Sequence, residues 1–140
     1  MKEEFLTFVG VIGSFIAGLF GGWDASLATL ILFMAIDYIT GIVVAGVFHN
    51  SPKTETGALK SNTGFKGLCK KGMMLLFVLI AVRLDITIGT NYIRDCVCIA
   101  FITNELLSII ENAGLMGVPI PAVVTKAIDV LKGKNEGVEQ

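Results

Sequence analysis

Residues 25–48 read ASLATLILFMAIDYITGIVVAGVF, an apolar run with one charged residue, Asp37. About 17–25 mostly apolar residues in a helix cross the hydrocarbon of a bilayer, so this run is predicted to span a membrane. Three further apolar stretches flank it: Phe5 to Gly22, Gly72 to Ile88 and Ile93 to Gly114. Together they leave no room for a soluble domain in a chain of 140 residues. The expected fold is an all-α integral membrane protein with a bundle of four transmembrane helices in residues 1–118. A C-terminal amphipathic helix and a cytoplasmic polar tail follow in 119–140. A three-span alternative leaves Phe5 to Gly22 in the membrane interface, or moving in and out of the bilayer.

Composition agrees. Hydrophobic residues make up 54% of the chain and charged residues 16%, against about 25% charged in an average soluble domain. Mean hydropathy is +0.76. The lipid bilayer is therefore the first expected partner. A net charge of −1 argues against nucleic acid, whose phosphates require a concentrated basic surface.

The one basic cluster, Lys53, Lys60, Lys66, Lys70 and Lys71, sits between the second and third spans. Cytoplasmic loops carry excess Lys and Arg, so these lysines are topology-setting and place the loop from His49 to Lys71 in the cytoplasm. Both termini then lie inside. The Gly21-Gly22-Trp23-Asp24 turn and the turn flanked by Asp85, Arg94 and Asp95 lie outside. The chain is expected to cross its membrane several times.

In the first span, Gly10, Ser14, Gly18 and Gly22 recur at every fourth residue. Small residues at that spacing let helix backbones approach closely in lipid, where packing drives association. This ridge, and Gly41 in the second span, are helix-packing candidates, either between copies in a homo-oligomer or within one chain.

Ionisable residues within the spans carry more information. Each costs at least about 2.5–3.5 kcal/mol at the bilayer centre unless paired or hydrated. Asp37 lies near the middle of the second span and Glu105 near the middle of the fourth, with Arg83 somewhat outward of the middle of the third. One guanidinium between two carboxylates would offset the cost. Glu105, Ser108 and Asn112 share a helical face, with Glu111 beside it. Asp37, Arg83, Glu105 and Glu111 are thus the candidates for pore lining or assembly control; the alternative is that they pair only to fix packing.

Other chemistry is sparse. The lone histidine, His49, has no partners for a metal site. Cys96 and Cys98 point to different faces of one helix, and Cys69 belongs to the opposite membrane side, so neither a zinc site nor a disulfide framework follows. No catalytic residue, cofactor site or metal site is expected, and the chain is not predicted to be an enzyme. Near the end, Pro121 opens a stretch in which Val123, Val124, Ala127, Ile128 and Leu131 recur at helical spacing opposite Lys126, Asp129 and Lys132. This reads as an amphipathic helix on the inner membrane surface, followed by a solvated tail from Gly133 to Gln140.

Several stretches, in order, resemble the toxin-secretion and phage-lysis holin family: Met34-Ala-Ile-Asp-Tyr-Ile-Thr-Gly41, Ser61-Asn-Thr-Gly-Phe-Lys-Gly-Leu-Cys-Lys-Lys71, Leu84-Asp85 before Gly89, the Asn104-Glu105 and Glu111-Asn112 pairs, and Gly117-Val118-Pro119-Ile120-Pro121. The resemblance covers roughly Trp23 to Leu131. It implies a protein that accumulates in the cytoplasmic membrane and then oligomerises into lesions that release an endolysin, for host cell lysis, or a toxin. An antiholin is the regulatory partner it suggests. The alternatives are a small ion channel, a dimeric small-molecule exporter, or a non-conducting antiholin or assembly subunit. The exporter reading is weakened because exporters of this size resemble one another in a first-span glutamate, and here that span has no ionisable residue.

Overall fold

The computed structural model describes the backbone of residues 1–139 and the side chains of residues 1–134. Five helices follow in order: α1 (Lys2–Leu19), α2 (Ala25–Gly46), α3 (Ser61–Ile88), α4 (Ile93–Leu115) and α5 (Ala122–Glu139). The described residues contain no strand. The all-α expectation therefore holds.

Helix ends follow from local chemistry. The Asp24 side chain accepts a hydrogen bond from the Leu27 amide at 3.0 Å and caps α2, using one of the four amides that a helix start leaves without an internal partner. Gly89, at φ 82°, ends α3 in the left-handed conformation that favours glycine. The start of α4 is capped from another helix: Asp85 accepts from the amides of Ile93 and Arg94, each at 3.0 Å. The α3–α4 turn is thus closed by a side chain from α3 itself.

The core lies where α2, α3 and α4 meet. Leu30 and Met34 of α2, Val78 of α3, and Cys98 and Ile102 of α4 form one buried cluster. Arg94 bonds to Asp24 at the head of α2, and Asn112 bonds to Asp37 and Thr40 further along. These two levels of contact make α2 and α4 run parallel. α3 packs against both, and its Lys71, in the first half of the helix, meets Asp37 and Glu105.

Two helices depart from the sequence expectation. α3 begins at Ser61, whereas the third span was expected from Gly72; the basic stretch from Lys66 to Lys71 is helix, not loop. α5 runs to Glu139 through the segment expected to be a solvated tail, while Gln140 lies outside the described residues. α5 also packs against α4, burying Ile128 and bringing Leu131 onto the core cluster. Its apolar face is covered at those positions by protein.

Only α2, among the described residues, is both long and apolar enough to cross a membrane by composition. The reason is charge. α3 carries Lys66, Lys70, Lys71, Arg83 and Asp85, α4 carries Arg94, Asp95, Glu105 and Glu111, and α1 spends its first turn on Lys2, Glu3 and Glu4. No residue of α1 is buried, and α1 forms no packed interface with another helix.

Candidate functional site

The centre of the molecule is a buried charge cluster. Asp37 on α2 and Glu105 on α4 are 6% and 3% exposed, and two carboxylates at that depth require compensation. Lys71 of α3 supplies it. Its Nζ donates to Asp37 Oδ2 at 2.7 Å and to Glu105 Oε2 at 2.5 Å, so a single ammonium joins three helices. Asn112 completes the shell, its Nδ2 lying 3.1 Å from Asp37 Oδ1, 3.2 Å from the Asp37 carbonyl and 2.9 Å from Thr40 Oγ1. Thr40 in turn donates to the Ile36 carbonyl. Among the described residues no buried side-chain nitrogen or oxygen lacks a hydrogen-bond partner, which is the condition for retaining polar groups in a core.

This arrangement corrects the pairing expected from sequence. Arg83 is exposed on α3 and forms no ion pair among the described residues; Lys71 stands where Arg83 was expected. The cause is register. Residues 71, 78 and 82 lie on the α3 face that meets α2 and α4, and Val78 and Val82 are buried there, while Arg83 is about 18 Å beyond Lys71 along the axis and rotated about 100° beyond Val82.

The cluster is the floor of a cavity of about 240 Å³ that extends to the loop between α2 and α3. Glu111, exposed on α4, lines it with Asn104 and Ser108, as do Lys53, Lys60 and Lys70. Four of the five basic-cluster lysines therefore surround this space, and Lys66 is exposed elsewhere on α3. Gly41 sits at the α2–α4 crossing, where an added Cβ would lie 3.9 Å from Asn112 Nδ2. Added Cβ atoms at Gly10, Gly18 and Gly22 would meet nothing within 4 Å, and Ser14 is exposed. The structure thus brings Asp37, Glu105, Lys71 and Gly41 together and leaves the first-span ridge uncovered.

A second polar centre was not singled out from sequence. Arg94, 7% exposed, donates from Nη1 to Asp24 Oδ2 at 2.6 Å, from Nη2 to Asp24 Oδ1 at 3.0 Å, and from Nε to the Phe20 carbonyl at 2.7 Å. It also reaches the Gly22 carbonyl and Asp95. The α1–α2 turn is thereby fastened to the head of α4. Gly21 makes this possible: its φ is +84°, and a Cβ there would lie 2.8 Å from Arg94 Nε. The Arg94 hydrogen bond holds the Asp24 carboxyl below its ordinary value of 3.8, against partial desolvation that acts in the other direction. A sequence signal existed in the paired acid and base flanking two turns on one side.

All three cysteines are free: Cys98 is buried, Cys96 half-buried and Cys69 exposed.

The model of the bacteriophage holin family matches residues 14–133. An uncharacterised protein of Clostridium perfringens is 35% identical over 126 residues, which is 89% of this chain and 87% of that protein. An uncharacterised protein of Listeria innocua is 34% identical over 140 residues, covering 98% of this chain and 94% of its own length. A protein of Bacillus phage phi105 named as a probable holin is 32% identical over 111 residues, covering 79% of this chain and 76% of that one. No solved structure matches the chain with significance.

Proposed function

The chain belongs to the bacteriophage holin family, and from that premise we propose that it accumulates in the bacterial cytoplasmic membrane and oligomerises into lesions. α1 to α4 cross the bilayer with both termini inside, and the lesions release endolysin or a toxin to the cell wall side. The work done is the opening of a barrier, which needs no nucleophile or acid–base pair.

The observation that carries this reading is the Asp37–Lys71–Glu105 cluster, with its two carboxylates and one ammonium buried where three helices meet. Charge buried at that depth is costly in lipid and belongs to states in which it is paired or hydrated. In the resting protein Lys71 supplies the pairing. When copies assemble around water, the same groups line it. The apolar exterior supports the reading: Phe5, Phe8, Phe15, Leu32, Ile39, Leu76 and Ile86 are each more than half exposed, a distribution stable in lipid and unstable in water.

Expression of the chain alone in a bacterial host, with entry of an impermeant dye followed in time, tests it. A holin gives a delay and then abrupt entry. A non-conducting antiholin or assembly subunit accumulates in the membrane without entry, and an exporter or narrow channel gives no step in permeability to a large dye.

A further inference from the structure

We propose that α1 of one copy packs on the exposed face of α3 in the next copy, a head-to-tail contact that uses two different surfaces of this chain. The inference rests on the four-span reading above, which puts the N-terminal ends of α1 and α3 on one side of the membrane.

α1 presents a face without an occupant. No residue of it is buried, and Cβ atoms added at Gly10, Gly13 and Gly18 would meet nothing within 4 Å. Glu3, Gly10 and Ser14 are spaced by seven and four residues, so an acidic residue stands at the inner end of the small-residue ridge. On α3, Lys66, Met73 and Ile80 are spaced by sevens and share an exposed face, flanked by Lys70, Leu76 and Arg83. That face has basic residues at its inner end, large apolar side chains in its middle and, near its outer end, an arginine that forms no ion pair among the described residues. The two surfaces are complementary in shape, small against large, and in charge, Glu3 and Glu4 against Lys66 and Lys70.

Their lengths also agree. At about 1.5 Å per residue, Glu3 and Gly18 are about 22 Å apart along α1, and Lys66 and Arg83 about 25 Å apart along α3. When the acids meet the lysines, the carbonyl end of α1 reaches Arg83, where the partial negative charge of a helix C-terminus favours a cation. Arg83, exposed within an apolar segment, thereby gains a counter-charge that the described residues of its own chain do not give it.

Within one chain the two surfaces do not meet. The turn after α1 is fastened to α4 through Arg94, whereas the Met73 face of α3 points away from its buried residues Val78, Ala81 and Val82. Because the surfaces differ, the contact is heterologous and propagates into a ring or a chain of copies instead of stopping at a dimer.

The test uses two differently tagged full-length forms, with Cys69, Cys96 and Cys98 replaced by alanine. One carries Thr7→Cys and the other Met73→Cys; both native side chains are exposed. The forms are co-expressed and oxidised in isolated membranes. Mixed dimers are expected to exceed either homodimer, and a chain carrying both cysteines should give a ladder beyond the dimer. Glu3→Lys with Glu4→Lys should lower the mixed product several-fold, and Lys66→Glu with Lys70→Glu in the partner copy should restore it. Thr7–Thr7 dimers alone, a link confined to one chain, or no product from protein at normal membrane abundance would overturn the proposal. Cross-linking and leakage are read separately: mixed dimers without leakage leave this contact standing and count only against the lysis reading.

Discussion

The Nζ of Lys71 lies 2.7 Å from Oδ2 of Asp37, fastening α3 to α2 at a cavity lined in part by the α2–α3 loop. The same ammonium holds Glu105, so the three helices share one cation between two acids. Loss of that cation leaves both acids uncompensated.

Lys71→Leu is the direct consequence. Breaking a buried ion pair by removing one partner costs about 3–5 kcal/mol, so the variant should be depleted from the membrane or should open it early. Arg83→Leu, which strands no ion-pair partner among the described residues, should accumulate at the wild-type level. Quantitative blotting of membrane fractions alongside lysis timing measures both; equal behaviour of the two variants would dissolve the distinction drawn between Lys71 and Arg83.

The Arg94 clamp makes a second prediction. Gly21→Ala places a Cβ 2.8 Å from Arg94 Nε at a φ of +84°, while Gly22→Ala, at +94°, meets nothing within 4 Å. Both pay backbone strain of roughly 1–2 kcal/mol, but only the first also pushes the guanidinium off the Phe20 carbonyl. Thermal unfolding in detergent should therefore show Gly21→Ala as clearly the less stable. Matching melting temperatures would mean that the clamp contributes little.

Acid should weaken the same contact. The Asp24 carboxyl titrates below 3.8 in the folded chain, chiefly because Arg94 bonds to it. A depressed carboxyl contributes its full stabilisation above the ordinary value and loses it as pH falls through the folded one. With its side chain 48% exposed, the contribution is about 1 kcal/mol or less. Asp24→Asn should accordingly be less stable than the parent at neutral pH, and the gap should close below about pH 4. A gap unchanged across that range would assign the loss to the α2 cap and not to charge.

Orientation is tested at Ser61, the exposed first residue of α3. Ser61→Cys in a cysteine-free background should resist an impermeant maleimide added to intact cells and react after permeabilisation. Labelling from outside would invert the topology.

Much of this architecture is legible in the residues. α2 ends at Gly46, against an expected Phe48, and α4 covers Ile93–Leu115, against an expected Gly114, because each is an apolar run bounded by turn residues. Asp37 and Glu105 stood out as acids in apolar surroundings, and the structure brings them together. Their partner was hidden by its company. Lys71 follows Lys70 in a basic stretch whose charge suits a loop, yet one step of about 100° along a helix separates an exposed lysine from a buried one. Depth along α3 was misjudged too, because the helix starts at Ser61 and not at Gly72 and Lys71 lies about 18 Å before Arg83 along it, and the direction a side chain points depends on how α3 seats against α2 and α4. Arg94 was obscured for a related reason, since three of its acceptors are main-chain or side-chain groups about 70 residues away.

If assembled copies open a passage for a folded protein, release from reconstituted vesicles reveals it. Purified chain is incorporated at increasing density into vesicles that hold both a small dye and a folded fluorescent protein. No release is expected below a threshold density, and above it both contents should be lost together. Release of the dye alone at every density, in proportion to protein added, would contradict it and favour a narrow channel.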